Sequence, residues 1–149
     1  MYGKKNIEGG KLMEESLYSF ENFSHEQALI LGVKAQQIVK EENLKAVGIR
    51  IVYKDLLVFQ YLMDGKKEDN WLKRKAKTVL DSGHSSYYVY CHQEDYQTWM
   101  DDESYAICGG GYPIIENGQC VGAICISGLK HGDDHELIVR ILKEMEDAR

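Results

Sequence analysis

Apolar residues first recur at helical spacing in "FSHEQALILGVKAQQIVKEE", where Ala28, Leu31, Gly32, Ala35, Ile38 and Val39 fall on one face of a 3.6-residue repeat. Ser24 and Gln27 make a capping box ahead of this helix, and Phe23 is placed to staple against Ala28. The period then changes to two. In "KAVGIRIVYKDLLVFQYL", Val47, Ile49 and Ile51 share a face, and a second β-rich run follows from Leu56 to Leu62, with Lys54-Asp55 as the turn. "DNWLKRKAKTVLDSG" returns to a helix, capped at Asp69 or Asn70, striped by Leu72, Ala76, Val79 and Leu80, and ended by Gly83.

Residues 84–104 are crowded with tyrosine and show no sustained period; a short helix and a loop are expected there. The last third alternates again. Strands are expected at Tyr105–Cys108, Pro113–Ile115 and Cys120–Ser127, with Asn117-Gly118 as a hairpin turn. Asp133 and Glu136 read as a cap before a helix carrying Leu137, Ile138, Ile141, Leu142 and Met145. Hairpins dominate this order, so the fold class is α+β, a mainly antiparallel sheet with helices on its faces. Residues 1–15 read as a flexible leader, with Met13 an alternative start, and 16–149 as a single domain.

Composition narrows the function classes. The formal net charge of −6 argues against nucleic-acid binding, where phosphate neutralisation by Lys and Arg supplies most of the affinity. No apolar run approaches the roughly 20 residues needed to span a bilayer, and the polar N-terminus has no signal-peptide core, so the chain reads as cytoplasmic. Cys91, Cys108, Cys120 and Cys125 form no C-x-x-C pair. On a regular strand Cys120 and Cys125 face opposite ways, so neither a zinc cage nor a disulfide framework is readable.

The candidate chemistry starts at "CGGGYPI", Cys108 to Ile114. Its glycines fail the phosphate-loop templates: no Lys-Ser or Lys-Thr follows them, and Pro113 leads into a strand, not into a helix N-terminus. A strand bend and a glycine-walled ligand pocket both remain open readings. Ser127 lies in no G-x-S-x-G elbow. His131 and His135 are four apart, but Gly132 is expected to break the helix between them; Asp134 and His135 offer an acid or base pair at a helix start. In "KKEDNWLKRKAK", Lys73 and Lys77 fall together, while Arg74 and Lys75 point elsewhere, either into solvent or toward a ligand carboxylate or phosphate. The aromatic set Tyr87, Tyr88, Tyr90, Tyr96, Trp99 and Tyr105 suits a flat-ligand pocket or an oligomer interface, the interface being the favoured reading.

Three segments together, "DNWLKRKAKTVLDSGHSSYY", "YAICGGGYPIIENGQCVGAICISGL" and "DDHELIV", resemble the haem-degrading-domain family, also called GlcG/HbpS-like. The resemblance runs from about Phe20 to Met145 and is closest to a poorly characterised bacterial and yeast branch. It implies a profilin-like α/β/α sandwich around a five-stranded antiparallel sheet, and a homo-oligomer. It also implies a ligand pocket where Gly109, Gly110, Gly111, Pro113, Ser127, Gly128, Asp134 and His135 converge with Trp71, Arg74, Lys75, Ser85 and Ser86. Haem is the first candidate ligand on this resemblance. No catalytic residue or metal site is assigned, and His84, His92, His135 and Cys108 are all axial-ligand types among which spacing does not choose. The readings carried forward are a small-molecule binder, a non-catalytic assembly or adaptor protein, and an enzyme on a small anionic metabolite.

Overall fold

The computed structural model describes residues 2–3 and 15–147. The leader expected over residues 1–15, with Met13, lies outside the described residues except for Tyr2–Gly3 and Glu15. In chain order the elements are β1 (Tyr2–Gly3), β2 (Leu17–Phe20), α1 (His25–Glu41), β3 (Gly48–Tyr53), β4 (Leu56–Leu62), α2 (Asn70–Ser82) and α3 (Ser86–Cys91). A 3-10 turn (Gln93–Asp95), α4 (Gln97–Met100), β5 (Gly111–Glu116), β6 (Gln119–Ser127) and α5 (His131–Asp147) follow.

The sheet runs β1-β2-β5-β6-β3-β4. Five strands, β2 to β4 in that order, form its body, and the two-residue β1 extends one edge. Pairing is antiparallel except between β2 and β5, which run parallel, so the sheet is mainly antiparallel, as the hairpins predict, with one parallel pair where the family resemblance implies none. The cause is β2 itself. Four residues are too few to show a period, and β2 connects to β5 through α1, the β3–β4 hairpin and the helices α2 to α4, not through a turn.

Alternation along the strands builds two layers. Ile49, Ile51, Ile124, Ile126, Tyr112 and Ile114 face α1 and α5 and form the main core. Ala123 and Cys125 face the opposite way and pack against Leu72, Ala76 and Val79 of α2. The α1 stripe is buried as its spacing predicts, and Ser24 and Gln27 close the capping box. Both hairpin turns take left-handed residues in succession, with φ 49° and 67° at Lys54 and Asp55 and 51° and 77° at Asn117 and Gly118. That conformation matches the twist of the strands it joins. Glu116 ties the end of β5 to the entry of α1 and to β3, accepting from Phe23 N and from Tyr53 Oη, each at 2.7 Å.

Four local expectations are corrected. Tyr105–Cys108 is not a strand, because α2 side chains take its backbone: Thr78 Oγ1 accepts from Ala106 N at 2.9 Å, and Arg74 donates to Tyr105 O. The last helix begins at His131, so Gly132 lies within its first turn and Asp133 and Glu136 lie inside it without capping it. The register slips between Ile114 and Ile115, placing an extra residue in β6, and Cys120 and Cys125 consequently pack on the same layer. On α2, Leu80 is exposed, while Lys75 and Thr78 are buried in the stripe.

Candidate functional site

Lys75 occupies the sheet-facing side of α2 and is 2% exposed. Its Nζ donates to Ile126 O at 2.8 Å and pairs with Asp134 Oδ2 at 3.1 Å. The other oxygen of Asp134 accepts from Leu129 N at 3.0 Å, which fixes the chain as it enters α5. Burial pushes the Asp134 carboxyl above its ordinary range, against the pull of the neighbouring ammonium and the backbone donors. One cation thus joins α2, the end of β6 and the start of α5.

The glycines make this geometry reachable. Gly110 has φ 122°, and a Cβ there would run into Lys75 Nζ and stand 2.5 Å from Ile126 O. Beside it, Gly109 N donates to His131 Nδ1 at 3.1 Å and Gly111 N to Ser86 Oγ at 2.9 Å. A Cβ on Gly111 would sit 2.8 Å from Val79 Cγ2, and one on Gly109 would strike His131 O. The space left by the three glycines is therefore occupied by this chain's own α2, α3 and α5.

Ser85 caps α3 by accepting from Tyr88 N at 3.0 Å. Glu15 holds that cap from outside: it accepts from Ser85 N at 3.0 Å, from the Ser85 hydroxyl, and from His84 Nδ1 at 3.2 Å. His84, Tyr88 and His92 stack in a ladder, with ring centres 3.8 and 3.9 Å apart. His92 Nδ1 meets Tyr88 O at 2.8 Å. A carboxylate and a carbonyl can only accept, so both histidines carry a proton on Nδ1 and, when the ring is neutral, an Nε2 lone pair. His131 is the reverse: Nδ1 accepts from Gly109, which places its proton on Nε2 when the ring is neutral.

His135 stacks on Tyr87 at 4.9 Å and lies apart from the Asp134 carboxylate, which is turned to Lys75. The Nδ1 of His135 is buried without a hydrogen-bond partner, and burial holds the ring's pKa below its usual value. Burial also pushes the Cys108 thiol up, which keeps it protonated and a poor metal ligand.

The residues singled out from the sequence divide into two groups. Lys75, Ser86, Gly109, Gly110, Gly111, Gly128 and Asp134 meet at the buried junction, with Ser85 and His135 at its α3 and α5 edges and Pro113 buried on β5. Trp71, Arg74 and Ser127 lie on the surface instead. Arg74 stacks over the Trp71 ring at 4.0 Å and gives two hydrogen bonds to Tyr105 O; the pair borders a cleft of about 410 Å³. Trp71 and Ser127 share a second cleft of about 220 Å³ with Lys66 and Lys67. Glu15 and Thr78 are structural participants that sequence reasoning missed, and His131, weighed there only for its spacing to His135, accepts from Gly109 N. No local pattern marks Glu15 or Thr78, since their partners lie 70 and 28 positions away.

No helix among the described residues is long and apolar enough to cross a membrane. Residues 23–143 match the family described as haem degrading protein HbpS-like. A UPF0303 protein of Psychromonas ingrahamii is 33% identical over 143 residues, covering 90% of this chain and 89% of its own. The crystal structure of Ybr137w protein superposes with a TM-score of 0.79 at 30% identity, covering 87% of this chain and 82% of that one. That of a PduOC:heme complex superposes at 0.65 with 16% identity, covering 81% and 93%, a likeness of fold alone. With the α2-side and α1/α5-side layers flanking one mixed sheet, and the match spanning nearly all of it, the chain belongs to the HbpS-like haem-degrading-protein family.

Proposed function

We propose that this chain is a cytoplasmic homo-oligomer that binds a planar, anionic small molecule, haem being the first candidate, on the His84–Tyr88–His92 face of α3. The observation that carries this reading is the hydrogen bonding of the two outer rings. Each donates through Nδ1 to an acceptor and leaves Nε2 free, the arrangement in which a histidine ligates a metal while a second partner fixes its orientation. The family description and the haem-bearing PduOC structure support haem as the first ligand to try.

Of the donor types weighed from the sequence, His84 and His92 fit an axial position. His135 presents a buried Nδ1 and Cys108 a protonated thiol, and they fit less well. Of the two cations expected to meet ligand carboxylates, Arg74 keeps a place beside a cleft, whereas Lys75 is committed to Asp134. Haem, when bound, would supply the iron at which oxygen or peroxide and a reductant react. The chain's own part is to hold that face in place. Ser85 and Ser86 anchor α3, Gly109, Gly110, Gly111 and Pro113 lead the chain past it, and Gly128, Asp134 and His135 set the start of α5. Trp71 and Ser127 remain at the surface clefts for a ligand's apolar and polar edges.

Titration of purified protein with hemin tests this. A saturable, shifted Soret band near one equivalent is expected, lost or blue-shifted in His84→Ala or His92→Ala and kept in His131→Ala. Absence of any saturable band rules out haem.

A second reading, a non-catalytic assembly protein, draws on one observation: the polar groups of the junction are largely satisfied by one another. It expects Ser127→Ala and His135→Ala to leave cellular function intact while interface substitutions among the tyrosines change oligomer mass.

A further inference from the structure

Between α2 and the sheet lies a cavity of about 600 Å³ in which the α3 histidines take no part. Arg50 and Val52 of β3, Cys120 and Gly122 of β6, and Ala76 and Lys77 of α2 line it, with the Lys54–Asp55 turn among its walls. Its origin is local. Ile49 and Ile51 take the α1/α5 side of β3, so alternation sends Arg50 and Val52 to the α2 side. There the neighbouring positions are small, Gly122 on β6 and Ala76 on α2, and the helix leaves a gap.

Arg50 is held but unneutralised. Its Nη1 donates to Gln60 Oε1 at 2.6 Å, and Gln60 is itself fixed through Nε2 to Asp69 Oδ2 at 3.0 Å. The Arg50 Nε is buried with no hydrogen-bond partner. Among the described residues no carboxylate lies within ion-pair distance of this guanidinium, while the other lining cations each have one: Lys54 has Glu116, Lys73 has Asp69 and Lys77 has Asp81. With Glu116 and Asp69 counted beside Asp55 and Asp81, four carboxylates stand near the four cations, and among the described residues Arg50 is the lining cation with no carboxylate within ion-pair distance. Val52, Ala76, Leu80 and Val121 make the rest of the wall apolar.

We propose that this cavity is a second binding site, for a small molecule with one oxyanion head and a short apolar body. A carboxylate or phosphate oxygen accepts from the Arg50 guanidinium, the lining cation with no carboxylate of its own. The body lies on Val52, Ala76 and Leu80. The volume falls in the range of small-molecule sites. The proposal shares no residue with the histidine face and stands or falls independently of haem.

The test is calorimetric titration of the full chain with phenyl phosphate and, separately, hexanoate, combined with mass-resolved alkylation of the cysteines. Saturable binding of at least one probe is expected, and the preferred probe identifies the oxyanion. Arg50→Gln should weaken it at least tenfold. Lys77→Gln, a substitution at the exposed rim, should weaken it two- to fivefold. The bound probe should slow iodoacetamide labelling of Cys120, which lines the cavity, at least fivefold and leave that of exposed Cys91 unchanged. No saturable heat with either probe overturns the proposal. So does binding that survives unchanged in folded Arg50→Gln, or protection that misses Cys120. If Arg50→Gln does not fold, Lys77→Gln and the labelling of the native chain decide the matter.

Discussion

Lys75 Nζ and Asp134 Oδ2 lie 3.1 Å apart with both side chains almost wholly removed from solvent. The pair bridges α2 to α5, the last helix of the chain, 59 positions on. Breaking one half of a buried pair leaves the other charge unpaired, which costs about 3–5 kcal/mol. Lys75→Met is therefore expected to lower unfolding free energy by that amount in a denaturant titration. Lys75→Met with Asp134→Leu should recover part of the loss, because replacing both charges removes the desolvation penalty as well as the attraction, while Leu129 N and Ile126 O lose these partners.

The glycine turn gives a paired prediction. Gly110→Ala puts a Cβ at φ 122° against Ile126 O and the lysine ammonium, so it should destabilise by about 2 kcal/mol or more. Gly132→Ala has open space around it and lies in the first turn of α5. It should be neutral or stabilising by about 0.5–1 kcal/mol. Thermal melts of the two variants side by side separate a packing requirement from a general intolerance of glycine loss.

Much of this fold was legible because local pattern and tertiary burial agree. The α1 stripe, the face shared by Val47, Ile49 and Ile51, and the Asn117-Gly118 hairpin all follow from spacing within one element. What failed depends on partners distant in sequence. Lys75 reads as a surface charge until Asp134 and Ile126 O are placed beside it. Tyr105–Cys108 reads as a strand until Thr78 and Arg74 take its backbone groups. The glycine run was legible as a need for room, but that room is filled from α2, α3 and α5, three elements the run itself does not name.

His135 predicts a dependence of stability on pH. Its folded pKa lies below the ordinary 6.5, so the unfolded chain binds more protons at this position as pH falls. Stability contributed by the neutral ring is present above 6.5 and is lost as pH drops through that value toward the folded pKa, at up to about 1.4 kcal/mol per pH unit for one proton. Asp134 acts in the opposite sense: its raised pKa makes its contribution fade as pH climbs from 3.8. Urea unfolding from pH 7.5 to 5.5 should show the histidine slope, and His135→Phe, which preserves the stack on Tyr87, should flatten it.

Thiol reactivity should follow burial. Cys91 is exposed and should label first, whereas the Cys125 thiol is wholly buried and pushed up to about 12. In native protein at pH 8, Cys125 should remain unlabelled over hours, and its labelling rate should rise only as denaturant approaches the unfolding midpoint. Fast native labelling of Cys125 would show that the α2 layer opens locally.

Glu15, just ahead of β2, connects that end of the sheet to the proposed ligand face. Its carboxylate takes Ser85 N, the Ser85 hydroxyl and His84 Nδ1 together, so Glu15→Ala removes three acceptor contacts at the cap of α3. Leaving buried donors without partners should cost about 1–3 kcal/mol of stability. The second effect depends on which histidine meets the ligand. A carboxylate behind a ligating histidine typically contributes about 10–100-fold in affinity. If His84 is the axial residue, hemin affinity should fall by that factor in Glu15→Ala and by less in Glu15→Gln, whose amide oxygen still accepts. Should stability fall while the Soret titration stays unchanged, His92, whose Nδ1 is held by Tyr88 O without Glu15, is the ligand instead.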